Sequence, residues 1–189
     1  MARIIEIHPT DPQPRLVAAV VQVIRSGGVI AYPTDSSYAL GCHIGDKRAM
    51  DRIRRIRRAD KNHNFTLVCS DLSEISTYAR VENWAYRLLK AMTPGPYTFI
   101  LPATREVPKR LQHPKRRTIG LRVPDHRLVR DMLESLGEPI MSSTLSLPGD
   151  DMPQTDPFEI ERLIGHQIDA IIDAGPTGIE PTSVVDLSS

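Results

Sequence analysis

Residues 4–32 read IIEIHPTDPQPRLVAAVVQVIRSGGVIAY, and this stretch decides the fold. Ile4-Ile5-Glu6-Ile7 is strand-like. Asp11-Pro12 has the form of an N-cap with proline at the first helical position. Leu16, Ala19, Val20, Val23 and Ile24 then recur at helical spacing and mark one apolar stripe. Ser26-Gly27-Gly28 closes the helix, because glycine accepts the left-handed conformation a C-cap needs. Val29-Ile30-Ala31-Tyr32 is a short apolar strand stopped by Pro33. A strand, a helix and a second strand within 29 residues predict a layered α/β architecture.

The alternation continues. A helix is expected from Asp46, with Ala49, Met50, Ile53 and Ile56 inward and arginines elsewhere. Phe65–Cys69, Tyr97–Leu101, Thr118–Val123, Ile140–Ser143, Ala170–Ile172 and Ser183–Asp186 read as strands. Helices are predicted around Trp84, Leu88 and Leu89, and through Leu128, Val129, Met132, Leu133 and Leu136, closed by Gly137. Asp156-Pro157-Phe158-Glu159 has the spacing of a capping box. Residues 1–189 are read as one domain with a largely shared sheet, without internal repeat or linker.

The formal net charge is only +1, but it is unevenly distributed. From Asp131 onward Arg162 is the sole Lys or Arg, against twelve Asp and Glu. Two basic stretches dominate the first 130 residues. One contains Arg48, Arg52, Arg54, Arg55, Arg57, Arg58 and Lys61; the other contains Lys109, Arg110, Lys115, Arg116, Arg117 and Arg122. Such blocks favour polyanions, nucleotides and RNA among them. A solvated helix face accounts for some of these charges equally well. No apolar run approaches the ~20 residues a membrane span needs. Cys42 and Cys69 form no Cys-x-x-Cys pair, so buried reduced thiols and a cytoplasmic setting are expected.

Five segments carry candidate chemistry, the last of them Pro181-Thr182-Ser183, just before the final strand. Thr34-Asp35-Ser36-Ser37 follows a strand and offers hydroxyls that both donate and accept. Arg54 to Lys61 ends a helix with groups suited to phosphate. Thr118, Gly120 and Arg122 alternate onto one face of a strand, where a buried arginine needs an anionic partner, internal or bound. Ser142-Ser143-Thr144-Leu145-Ser146 ends another strand, the usual place for ligands in α/β sheets. The six histidines lack metal-ligand spacing, and neither the phosphate-loop motif nor a dinucleotide fingerprint is present.

These segments, in this order, resemble the YrdC-like family. The resemblance rests on Tyr32-Pro33-Thr34-Asp35, Pro94-Gly95-Pro96-Tyr97-Thr98, Gly120-Leu121-Arg122-Val123-Pro124-Asp125-His126, Ser142-Ser143-Thr144 and Pro181-Thr182-Ser183-Val184-Val185-Asp186. Ile53-Arg54-Arg55-Ile56-Arg57 with His63-Asn64-Phe65-Thr66-Leu67 is most similar to its YciO branch. The resemblance implies a twisted sheet with flanking helices and a positively charged central concavity. It also implies a threonylcarbamoyl-AMP synthase-like activity using ATP with magnesium, bicarbonate and L-threonine, linked to N6-threonylcarbamoyladenosine in tRNA. By that similarity Thr34, Arg122, Ser142 and Ser183 would contact threonine. Arg57, Lys61, Thr118 and Thr144 would contact ATP.

The chain departs from the synthase pattern. Lys-x-Arg falls on Arg57-Arg58-Ala59, Ser-Ala-Asn on Thr144-Leu145-Ser146, and Tyr-Gly-Leu-Gly on Tyr38-Ala39-Leu40-Gly41. Each lost hydrogen bond to a charged group weakens binding by about 1.5–3 kcal/mol. The alternative expectation is therefore an RNA-binding protein without synthase activity, contacting duplex RNA, tRNA or rRNA. Its contacts would be Arg52, Arg54, Arg55, Arg58, Lys109, Arg110, Lys115, Arg116 and Arg117.

Overall fold

The computed structural model describes residues 1–58, 65–179 and 182–188. Among these residues nine strands form one twisted mixed sheet: β1 (Arg3–Glu6), β2 (Ile30–Pro33), β3 (Tyr38–His43), β4 (Thr66–Val68), β5 (Tyr97–Pro102), β6 (Thr118–Arg122), β7 (Ile140–Thr144), β8 (Ala170–Asp173) and β9 (Ser183–Asp186). Their spatial order is β1-β8-β2-β3-β7-β4-β6-β5-β9. Among the described residues six α-helices flank it: α1 (Pro14–Arg25), α2 (Lys47–Arg57), α3 (Leu72–Tyr78), α4 (Asn83–Met92), α5 (Arg127–Leu136) and α6 (Pro157–Ile164). Among the described residues, no helix is long and apolar enough to cross a membrane.

The local signals explain most boundaries. Gly27 and Gly137 both have positive φ just past their helices, as the C-cap reading requires. The start of α1 is a correction. The helix begins at Pro14 with Gln13 as N-cap, not at Asp11-Pro12. A residue before proline is pushed out of the helical region, so Gln13 cannot join the helix. Gln13 instead accepts a hydrogen bond from the His8 N–H at 3.0 Å, while His8 Nδ1 accepts from the Asp11 N–H at 3.0 Å. At α6, Asp156 accepts from the Phe158 N–H. Glu159 pairs with Arg162 rather than closing the capping box.

Two elements were not foreseen. β3 pairs antiparallel with β2 across the Thr34–Ser37 turn, and α3 is capped by Asp71. Ala39 lies in the core. Its methyl, where the synthase pattern has glycine, therefore packs among apolar groups. Cys42 and Cys69 are free and buried.

The two faces of the sheet are covered unequally. One apolar layer joins residues from α2, α3, α4 and α6 to β2 through β8, including Leu40, Leu67, Phe99, Leu121 and Met141. The other layer joins α1 and α5 only to β1, β8, β2 and the near residues Ala39, Ile140 and Val68. β5, β6 and β9 contribute nothing to it. Among the described residues, half of this second face therefore lacks a helical cover.

Candidate functional site

The uncovered half-face is polar because strand alternation makes it so. On β6, Ile119 and Leu121 enter the first apolar layer, which turns Thr118, Gly120 and Arg122 to the opposite face, as the sequence predicted. Ser142, Thr66 and Gly120 stand side by side in the register of β7, β4 and β6. Thr98 joins them: a Cβ on Gly120 would lie 3.3 Å from Thr66 Oγ1 and 3.4 Å from Thr98 Cγ2. The glycine keeps this floor open.

The wall is the hairpin turn between β2 and β3. Thr34 Oγ1 donates to the Ser37 carbonyl at 2.7 Å and accepts from the Ser36 and Ser37 N–H groups. This locks the turn and aims Asp35 across the sheet. One Asp35 oxygen takes the Arg122 guanidinium; the other accepts the Asp125 N–H at 2.8 Å. Turn, strand and the start of α5 are thus tied by one carboxylate. Arg122 is only 8% exposed, yet its buried Nε has no partner among the described residues. His126, the N-cap of α5, likewise has a buried Nδ1 without a partner among them. Burial pushes the His126 imidazole below its ordinary pKa, against the opposing pull of Asp35 and Asp125.

Tyr32 adds a second tie. Its hydroxyl lies 2.6 Å from Ser142 Oγ. Gly41 makes room for the ring, since a Cβ there would come within 2.9 Å of Tyr32 Cε1. Burial pushes the Tyr32 phenol up to about 12, partly offset by the Ser142 hydrogen bond and Arg122.

The expected residues are therefore not all gathered at one point. Thr34, Arg122 and Ser142 belong to the buried wall and floor. Thr118 and Thr144 are each two positions from the Gly120–Thr66–Ser142 row, on the side away from Arg122. Thr118 is about 13 Å along β6 from Arg122 at the usual strand rise. Arg57 reaches the end of β7, donating to Ser143 Oγ and, at 3.4 Å, to the Ser146 carbonyl; burial lowers its pKa. Ser183 pairs with Tyr97 and is exposed on the edge strand, so Val184 and Asp186 share the open face with Thr98 and Ile100. Lys61 lies outside the described residues, as does Ala59.

The basic residues also divide. Arg52 is bound to Asp169 at 2.7 Å and to the Gln167 carbonyl at 2.9 Å. Arg54 stacks over Phe65, 5.1 Å from the ring centroid. Arg55 and Arg58 are exposed at the end of α2. Arg110 donates to the Ile44 carbonyl at 3.4 Å, and Lys115 is exposed. Lys109, Arg116 and Arg117 line a separate cleft.

The fold and the polar half-face define a class. Residues 22–189 match the Sua5/YciO/YrdC family model, whose description is telomere recombination, and the chain belongs to that family. It is similar to YciO of E. coli, whose crystal structure superposes with a TM-score of 0.96 at 53% identity, covering 100% of this chain and 92% of that one. It is 32% identical over 163 residues to a threonylcarbamoyl-AMP synthase of Nitrosococcus oceani, covering 86% of each chain. The crystal structure of P. abyssi Sua5 complexed with L-threonine matches with a TM-score of 0.89 at 25% identity, over 97% of this chain and 54% of that longer one.

Proposed function

We propose that the open half-face holds an amino acid at its Arg122 end and a nucleotide at its Thr118–Thr144 end, and joins them by adenylyl transfer. The observation that carries this reading is the desolvated Arg122 guanidinium. Asp35 holds it from one side, and its Nε edge is left without a partner among the described residues, beside the hydroxyl row. A carboxylate is the natural ligand for that edge. L-threonine is the amino acid favoured by the synthase and Sua5 relatives, with Thr34 and Ser142 beside its polar groups and Ser183 at the sheet edge. ATP, entering with magnesium, takes Thr118, Thr144, Arg57 and Lys61.

The chemistry suits these residue types. The threonine amine takes up bicarbonate with loss of water to give a carbamate. A carbamate oxygen bonds to the α-phosphorus of ATP, and the bond to the bridging oxygen breaks, releasing pyrophosphate. Such a step depends on positioning and charge neutralisation rather than on a protein nucleophile.

The second reading is RNA binding without adenylyl transfer. One observation favours it: Arg57, which would neutralise the leaving phosphates, spends donors on Ser143 and the Ser146 carbonyl. Mass spectrometry separates the two readings. Protein incubated with ATP, magnesium, bicarbonate and L-threonine yields threonylcarbamoyl-AMP, and the product disappears without threonine or with Arg122→Met. Absence of product from folded wild-type protein rejects adenylyl transfer.

A further inference from the structure

Two nitrogens at the Asp35 end of the site are buried without a hydrogen-bond partner among the described residues: Arg122 Nε and His126 Nδ1. A buried polar atom left unmatched is destabilising, and one that persists marks a place a ligand can complete. Arg122 Nε carries the amino-acid reading. His126 Nδ1 belongs to the residue that opens α5. Asp35 gathers both. One of its oxygens takes the Arg122 guanidinium; the other accepts the N–H of Asp125, the residue before His126. The imidazole feels the Asp35 charge.

The sheet sets the same neighbourhood. Arg122 pairs in register with Val68. β4, through Val68, is the outermost strand beneath the α1–α5 layer. The border between the covered and open halves of the face therefore runs between Val68 and Arg122. β6 ends at Arg122 and α5 begins at Arg127, so the helix starts at that border. His126 is half-buried there rather than sealed. The helix end is also suited to an anion. At α2, α3 and α6 an aspartate N-cap accepts a first-turn N–H. His126 makes no such side-chain bond among the described residues, and the first turn of α5 has no acidic residue. The partial positive charge of a helix N-terminus is thus left without a carboxylate from its own turn.

An anion arriving at the Arg122 Nε edge meets this imidazole. A lone pair on Nδ1 would repel it, whereas an N–H would bind it. We propose that His126, with a proton on Nδ1, is a second donor for the carboxylate of the amino acid, across from Arg122. The inference deepens the amino-acid reading of the site and rests on it. One carboxylate oxygen accepts from Arg122 Nε–H and the other from His126 Nδ1–H. A carboxylate held at both oxygens cannot swivel. The amine beside it is then presented in one direction for carbamate formation, which a single contact would not achieve.

Calorimetric titration with L-threonine tests it, comparing wild-type protein, His126→Leu, His126→Asn and Arg122→Met. An asparagine amide places an N–H close to the position of Nδ1, whereas leucine fills the space without a donor. His126 makes no capping bond for either change to remove. Losing a hydrogen bond to a charged group weakens binding about ten- to a hundredfold. His126→Leu is expected to weaken threonine binding by that factor, and His126→Asn to restore most of it. Nitrogen-15 NMR of the imidazoles gives an independent readout. Of the six histidine rings, the one missing from His126→Leu is expected to carry its proton on Nδ1 in the complex. It is expected to shift on addition of L-threonine and not of threonine methyl ester. Threonine binding that Arg122→Met abolishes and His126→Leu leaves unchanged overturns the role of His126 while the amino-acid site stands. So does a loss that His126→Asn fails to restore, or a bound ring protonated on Nε2 alone. No threonine binding by folded wild-type protein rejects the amino-acid site and this inference with it. Circular dichroism melting of each variant shows whether a loss is due to unfolding. Should His126→Leu unfold, His126→Gln, whose amide reaches the Nε2 position instead, takes its place under the same criteria.

Discussion

Replacing Asp35 with asparagine isolates the buried ion pair at the centre of the site. The shape of the side chain is kept and its charge removed. The new amide oxygen can still accept the Asp125 N–H, but the amide nitrogen then faces the guanidinium, donor against donor. Arg122 keeps its charge at 8% exposure, and the neighbours that remain cannot neutralise it. Tyr32 is protonated at pH 7, with its phenol pushed up to about 12. Burial lowers the His126 pKa, and the Asp125 side chain is exposed. Leaving one member of a buried pair alone costs about 3–5 kcal/mol. For a chain of this length that lowers Tm by about 6–20 °C. Urea unfolding at pH 7 measures it. The same variant reports on the ligand. Freed from Asp35, Arg122 binds a carboxylate more tightly, so L-threonine is expected to raise the Tm of Asp35→Asn more than that of the wild type. At a hundred times Kd the stabilisation is about 2.7 kcal/mol. Threonine methyl ester, lacking the charge, has no such effect. A loss below about 1 kcal/mol places the pair among solvent-screened surface pairs and refutes its role as the tie between turn and strand. Equal shifts with threonine and its ester refute the carboxylate site.

Two further outcomes follow from the packing. Gly41→Ala places a methyl 2.9 Å from Tyr32 Cε1 and 3.0 Å from Ile140 Cδ1; the ring must move, with an expected loss of about 1–3 kcal/mol in urea unfolding. An unchanged midpoint means that the ring is free to shift. Burial pushes the Cys42 thiol up to about 12 and Cys69 well above its ordinary range, so neither reacts with iodoacetamide at about pH 9, near the ordinary thiol pKa, until urea unfolds the chain. The same burial makes stability fall in alkali: the contribution is whole below the unfolded thiol value of 9.0 and is lost as pH rises towards about 12. Rapid labelling of native protein refutes both statements.

The parts of this fold that can be read from sequence are those set by neighbours along the chain. The 3.6-residue stripe of α1, the glycines after α1 and α5, and the alternation of β6 all depend on a few adjacent residues. β3 was missed because Ala39 and Gly41 are poor strand formers alone. What keeps them extended is pairing with β2 and β7. α3 carries a readable start, Asp71 with Glu74 three positions on. Thr66 was also within reach. Phe65, Leu67 and Cys69 alternate inward, which sends Thr66 to the other face.

The site resisted sequence reading for a different reason. Its ties join residues 87 and 110 positions apart, Asp35 with Arg122 and Tyr32 with Ser142. No periodicity reports such a pair. What the sequence did carry was the constraint: an arginine alternating into a buried sheet must find an anion. The structure answers with Asp35, but only in part, since Nε remains unmatched among the described residues. Two carboxylates around one guanidinium, the first built into the hairpin turn and the second brought by a ligand, satisfy more of its N–H donors than either alone. The built-in partner compensates the buried guanidinium of Arg122. The unmatched edge gives a carboxylate a reason to enter. This is why the Asp35 variant and the Arg122 variant are expected to diverge, one gaining affinity for threonine as it loses stability, the other losing the ligand altogether.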